Sequence, residues 1–113
     1  MEAQYKLWDG RLIFKVDGEN PKAIFRALAG VSDVFGSISE CGLCHGKDIR
    51  LRHRIVDDNS FFEAACGNSA CRAKLEFGQT KKGDGLFPRR KDETGAYLQN
   101  GGWKIWVPTN KIQ

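Results

Sequence analysis

Apolar and polar residues alternate at both ends of YKLWDGRLIFKV, residues 5–16, where Leu12, Phe14 and Val16 share one side of a strand. Asp9-Gly10 between the two apolar runs is a hairpin signal, so the chain is expected to open with two short strands around that dipeptide. The period then changes. Ile24, Leu28, Val31 and Phe35 recur at helical spacing, behind Asn20 as an N-cap and Pro21 at the first helical position. This predicts an amphipathic helix packed on a sheet. Gly30 weakens it by about 1 kcal/mol relative to alanine and marks a candidate break.

From residue 48 the period is two again. In DIRLRHRIV, Arg50, Arg52 and Arg54 fall on one face, and Ile49, Leu51, His53 and Ile55 on the other. The apolar side is expected to pack inward, with His53 a core histidine. Strands are expected at 48–56, 60–65 and 72–77, with a turn at Asp57-Asp58-Asn59, and a last strand from Trp103 to Val107. Residues 78–102 are rich in glycine and charge and read as one long loop, of the kind that is functional or mobile.

Cysteines add a constraint that periodicity does not. Cys41-Gly-Leu-Cys44 and Cys66-Gly-Asn-Ser-Ala-Cys71 bracket residues 45–65, which is the spacing of a zinc ribbon: two short loops each present two sulfurs, and the strands between hold the loops together. The second pair is two residues longer than the commonest form. Gly42 and Gly67 ease the tight turns that aim backbone amides at sulfur. The expected ligands of one Zn2+ are therefore Cys41, Cys44, Cys66 and Cys71. A four-thiolate site leaves no place for a reactive water, so the metal is expected to be structural. His45 could replace a cysteine only awkwardly, because it adjoins Cys44.

The fold class these elements imply is α+β: a small antiparallel sheet or open barrel with one helix and an inserted four-cysteine zinc ribbon. At 113 residues the chain is read as a single domain, 1–113, with a ribbon subdomain at 38–77. No apolar run approaches the roughly 18 to 20 residues of a membrane span, and the N-terminus lacks signal-peptide features. A cytoplasmic location is expected, where free thiolates are favoured over disulfides.

The net charge of +4 is modest, but the bases are grouped. Arg50, Arg52 and Arg54 would stand about 6.5 to 7 Å apart along their strand, near the phosphate repeat of an extended single strand. An arginine can fork to phosphate or stack on a base. The alternative is an exposed ribbon face paired with Asp57, Asp58 and Glu63. Lys81, Lys82, Arg89, Arg90 and Lys91 surround Phe87 and lie near Tyr97, Trp103 and Trp106, the composition of a groove that tracks a sugar-phosphate backbone while bases stack. Phe87 and Trp103 are the candidate stacking platforms.

The segment FGQTKKGDGLFPRRKDETGAYLQNGGWKIW, with the CGLC and CGNSAC pairs before it, resembles small phage-encoded zinc-ribbon proteins of the replication and recombination part of phage genomes, over about residues 38–106. That resemblance implies a non-enzymatic role on single-stranded DNA, in the host cytoplasm, beside DNA replication or DNA recombination proteins. The non-acidic end TNKIQ departs from the acidic tail common among phage single-strand binders. A protein-interaction adapter or inhibitor of a host enzyme is the alternative. The acids in DDNSFFE and KKGDG lack the companion motif of a metal-dependent nuclease.

Overall fold

Alternation in the first residues produces a hairpin in the computed structural model, which describes residues 1–81 and 84–105. Strand β1 (Glu2–Leu7) pairs antiparallel with β2 (Leu12–Asp17), from Glu2 opposite Asp17 to Leu7 opposite Leu12. The connection is four residues, 8–11, longer than the dipeptide alone suggested. Trp8 and Asp9 take φ of 56° and 55° and Gly10 takes 87°. Trp8 leaves the strand because its indole is buried and its Nε1 donates to the Phe35 carbonyl at 2.7 Å.

Helix α1 (Pro21–Phe35) starts as expected: Asn20 is extended and its side-chain oxygen accepts from the Ala23 amide at 2.9 Å. It runs unbroken through Gly30. A β-carbon there would meet nothing, so the glycine makes no packing demand, and the helix is held instead by its apolar face. Ile24 is buried, and the rings of Phe35 and Phe14 lie 5.2 Å apart.

The chain, read from its length as one domain, divides into two compact units, Met1–Ser39 and Glu40–Gln113. The second begins near the start of the expected ribbon but does not end at residue 77, because later segments join the same sheet. Strand β3 (Ile49–Val56) pairs with β4 (Asn59–Cys66), from Ile49 opposite Cys66 to Val56 opposite Asn59. Only Asp57 and Asp58 form the turn, with φ of 51° and 66°. Two consecutive left-handed residues match the right-handed strand twist, and aspartate tolerates that conformation. Strand β5 (Ala73–Gln79) pairs with β4 through Glu63↔Glu76 and Ala65↔Lys74. It also pairs with β6 (Leu86–Pro88) through Gln79↔Leu86 to Phe77↔Pro88, and with β7 (Lys104–Ile105) through Ala73↔Ile105 and Lys74↔Lys104. All the pairings are antiparallel, and with one α-helix the fold is α+β.

The expected loop 78–102 is therefore largely built into the fold. After β6, Lys91 bridges to Tyr97, and Asp92 Oδ1 accepts from the Thr94 amide, the Thr94 hydroxyl and the Ala96 amide at 2.9, 2.6 and 3.1 Å. Short side chains that bond their own backbone make this segment a tight hairpin. A 3-10 turn, Gln99–Gly102, leads into β7. The core of the unit holds Ala64, Ala73, Leu75, Phe77 and Trp103.

One expectation holds only in part: Leu51 lies opposite Ala64, and Ala64 opposite Leu75, so the apolar side of β3 is the side of the core, but most of it is left uncovered. Leu51 and Ile55, read as inward-facing, are 46% and 67% exposed, and His53 is exposed with its ring stacked on Phe62 at 4.7 Å. Ile49, Arg52 and Arg54 are the half-buried residues of β3. Strand β3 is the edge of its sheet, so the buried apolar positions gather on the interior strands β4 and β5.

Candidate functional site

The four cysteines converge. Their sulfurs all lie within 4.8 Å of one another and could hold a metal ion. Cys41 and Cys71 Sγ are 3.7 Å apart, and Cys44 and Cys66 Sγ 3.6 Å, far beyond a disulfide bond of about 2.05 Å, so the thiols are free.

Local hydrogen bonds shape both loops. The Leu43 amide donates to Cys41 Sγ at 3.3 Å and the Gly46 amide to Cys44 Sγ at 3.4 Å, while the His45 amide donates to the Cys41 carbonyl at 3.0 Å. The two additional residues of the second loop are absorbed at Asn68: its side-chain oxygen accepts from the Ala70 amide at 3.0 Å, and its carbonyl accepts from both the Cys71 and Arg72 amides at 3.0 Å. Packing explains the glycines. A β-carbon on Gly42 would collide with the Trp103 ring, and one on Gly67 with the Asp48 carboxylate. His45 stands outside the cluster, its Nδ1 2.9 Å from Glu40 Oε2.

The environment separates the thiols. The Gly46 amide lowers Cys44 to about 7, whereas burial pushes Cys66 up to about 12 and also raises Cys71. Four thiolates this close repel one another unless a cation shares them.

The second feature is a sheet face. Strand registers place Arg50, Arg52 and Arg54 of β3 on the same side as Phe61 and Glu63 of β4, Lys74 and Glu76 of β5, Phe87 of β6 and Lys104 of β7. Arg89, whose amide bonds the Glu76 carbonyl at 2.9 Å, follows Phe87 by two residues and continues its side. The arginine comb is not free, however. Arg50 pairs with Asp48 at 3.1 Å, and Glu63 Oε1 accepts from Nε of both Arg52 and Arg54 at 2.8 Å. Lys74 Nζ lies 3.3 Å from Glu63 Oε2, and Lys104 bonds Glu76 at 2.6 Å. Charges of alternating sign thus cross the sheet from β3 to β7.

Glu63 is the hub of this network, with a side chain only 1% exposed. Burial pushes its carboxyl up, but the Lys74 charge and the Arg52 hydrogen bond outweigh burial and hold it below the usual carboxylate range. Glu76 is likewise lowered, chiefly by the Lys104 hydrogen bond. The sequence reading included Glu63 only as an alternative partner, and it omitted Asp48 and Phe61. Arg52↔Glu63 is a cross-strand pair whose signal lies in the register set by the Asp57-Asp58 turn.

Other expected residues separate. Phe87 is 48% exposed and Phe61 39%. Trp103, expected as a platform, is 4% exposed and belongs to the core, where its ring closes against Gly42; it offers no face for stacking. Lys81 is exposed. Arg90 turns away to donate Nη1 to the Gly101 carbonyl at 2.6 Å, and burial lowers its guanidinium. Lys91 lies 4.7 Å from the centre of the Tyr97 ring. Lys82 and Trp106 lie outside the described residues.

No protein-family model matches this chain, and neither a curated protein nor a solved structure matches it significantly. Among the described residues no helix is long and apolar enough to cross a membrane.

Proposed function

We propose that this protein binds single-stranded nucleic acid, DNA in particular, on the basic face of its second unit, without catalysing a reaction. The observation that carries the reading is the make-up of that face. Arg50, Arg52, Arg54, Arg89 and Lys104 outnumber Asp48, Glu63 and Glu76, Lys74 is buried against Glu63, and Phe61 and Phe87 expose their rings among them. Cations that hold phosphates beside aromatic platforms that stack bases are the two requirements for gripping a single strand. Because Glu63 sits beneath Arg52 and Arg54, these arginines stay fixed while keeping part of each guanidinium in solvent, at 37% and 33% side-chain exposure.

In this reading the metal is a single Zn2+. Four sulfurs at a Zn–S distance of about 2.3 Å form a tetrahedron with edges of about 3.8 Å, close to the observed 3.6 and 3.7 Å. All four positions belong to protein, so the ion braces the loops at the base of β3 and β5 and leaves no open site for hydrolysis. The compartment is the cytoplasm, in DNA replication or recombination, with other proteins of those processes as partners.

A second reading, a docking module for a host protein, draws on the exposed Leu51, Ile55 and stacked His53–Phe62 on the opposite side of the hairpin. Titration against labelled single-stranded DNA, duplex DNA and RNA at about 50 and about 200 mM salt separates them. Tightest binding to a single strand, weakening steeply with salt, supports the first reading. No binding at low salt, or affinity indifferent to salt, overturns it.

A further inference from the structure

Arg89 stands where three hollows of the second unit meet. A cleft of about 850 Å³ is lined by Phe87, Pro88, Arg89, Glu93 and Leu98 among others. A neighbouring one of about 550 Å³ shares Arg89 and Leu98, and a third of about 210 Å³ places Arg89 near Phe61 and Glu63. The largest falls within the range of small-ligand sites, about 300 to 1,000 Å³.

The polar groups around the large cleft are mostly committed. Lys104 is bonded to Glu76, Lys91 lies on Tyr97, Arg90 holds Gly101, and Asp92 Oδ1 is saturated by its own hairpin. Among the described residues the Arg89 guanidinium and the Glu93 carboxylate have no side-chain partner. The cleft therefore offers one free fork of donors and one free pair of acceptors, beside the half-exposed rings and chains of Phe87 and Leu98. Arg89, Arg90, Lys91 and Lys104 set against Glu76, Asp92 and Glu93 leave the cleft near neutral, so charge alone does not select a phosphate. A flat heterocycle with both donor and acceptor edges satisfies every group.

Guanine fits this set best. Its O6 and N7 accept from an arginine fork, and its N1–H and N2 amino group donate together to one carboxylate. Adenine places an amino group beside N7, where it opposes a guanidinium. We propose that the cleft takes one unstacked guanine of the bound strand, with Arg89 on its O6/N7 edge, Glu93 on its N1/N2 edge and Phe87 at its face. The inference rests on the single-strand reading above and adds a base preference to it.

The test compares oligo(dT) of about 14 nucleotides with the same strand carrying one central dG, one dA or one deoxyinosine. The dG strand is expected to bind about fivefold to a hundredfold more tightly than oligo(dT). Deoxyinosine, which lacks the N2 amino group, is expected to lose about threefold to tenfold of that gain. In Glu93→Gln the dG to dA ratio is expected to fall toward unity, and the exposed position of Glu93 keeps the change from disturbing the core. Equal affinity for dG, dA and unsubstituted strands overturns the cleft assignment and leaves the wider reading standing. A dG preference that persists undiminished in Glu93→Gln also overturns it. No binding of any strand removes the single-strand reading and the cleft together.

Discussion

The ring of Phe87 lies against the backbone of Gly78, its partner across β5 and β6, so closely that no β-carbon would fit between them. The glycine gives the ring a flat seat, while 48% of the residue remains exposed. Phe87→Ala is expected to weaken single-strand binding about fivefold to a hundredfold, the worth of one stacking platform, with only a small change in melting temperature. Gly78→Val, which evicts the ring and leaves it present, should lower affinity as well. Unchanged affinity in both variants removes Phe87 from the interface.

Trp103→Ala has the opposite signature. The indole is buried against Gly42 beside the cysteine loops, so its loss is expected to destabilise the second unit by about 3 to 5 kcal/mol. Chemical denaturation measures this directly. A stable variant with weakened nucleic-acid binding would return Trp103 to the stacking surface.

Glu63→Gln leaves Arg52, Arg54 and Lys74 facing one another without their shared anion. The expected cost is about 3 to 5 kcal/mol, because the cations around a buried pair then lack compensation. Acid should mimic the variant in wild type. The folded carboxyl lies below its ordinary value of 4.5, so its contribution is complete above that pH and disappears as pH falls through the lower folded value. Urea midpoints measured between neutral and acidic pH should fall in wild type, with a shallower fall in Glu63→Gln. Parallel profiles would reject the hub.

Arg50 is a better probe of phosphate contact than Arg52 and Arg54, whose removal would also strip Glu63 of its partners. Replacing Arg50 by alanine is expected to reduce the slope of log affinity against log salt by about 0.7. An unaltered slope places the electrostatic contact elsewhere.

Metal analysis is expected to return one zinc per chain, lost on chelation together with the fold of the second unit. Acidification should release it too, since protons compete for the thiolates. Cys44→Ser should weaken retention. A melting curve indifferent to chelator, or a metal-free protein with intact tertiary structure, contradicts a structural ion.

Features formed among near neighbours were legible in the sequence. The Asn20-Pro21 helix start, the turn at Asp57-Asp58 and the two cysteine loops each depend on hydrogen bonds spanning a few residues, so the residue types at those positions determine them. What the sequence left open was how far each side of a strand is covered. Alternation in β3 sorts Arg50, Arg52 and Arg54 from Leu51, His53 and Ile55, but it does not say which of them are covered. Coverage was set by β4 and β5, which put Glu63 and Lys74 beside the arginines, and by the edge position of β3, which leaves Leu51 and Ile55 in solvent on the side where Ala64 and Leu75 are buried. Trp103 and Phe87 were equivalent as aromatic residues beside glycines. Only the tertiary structure separated them: closure of the 3-10 turn against the first cysteine loop buries the indole, whereas the pairing of β5 with β6 seats the phenyl ring on Gly78 at the surface.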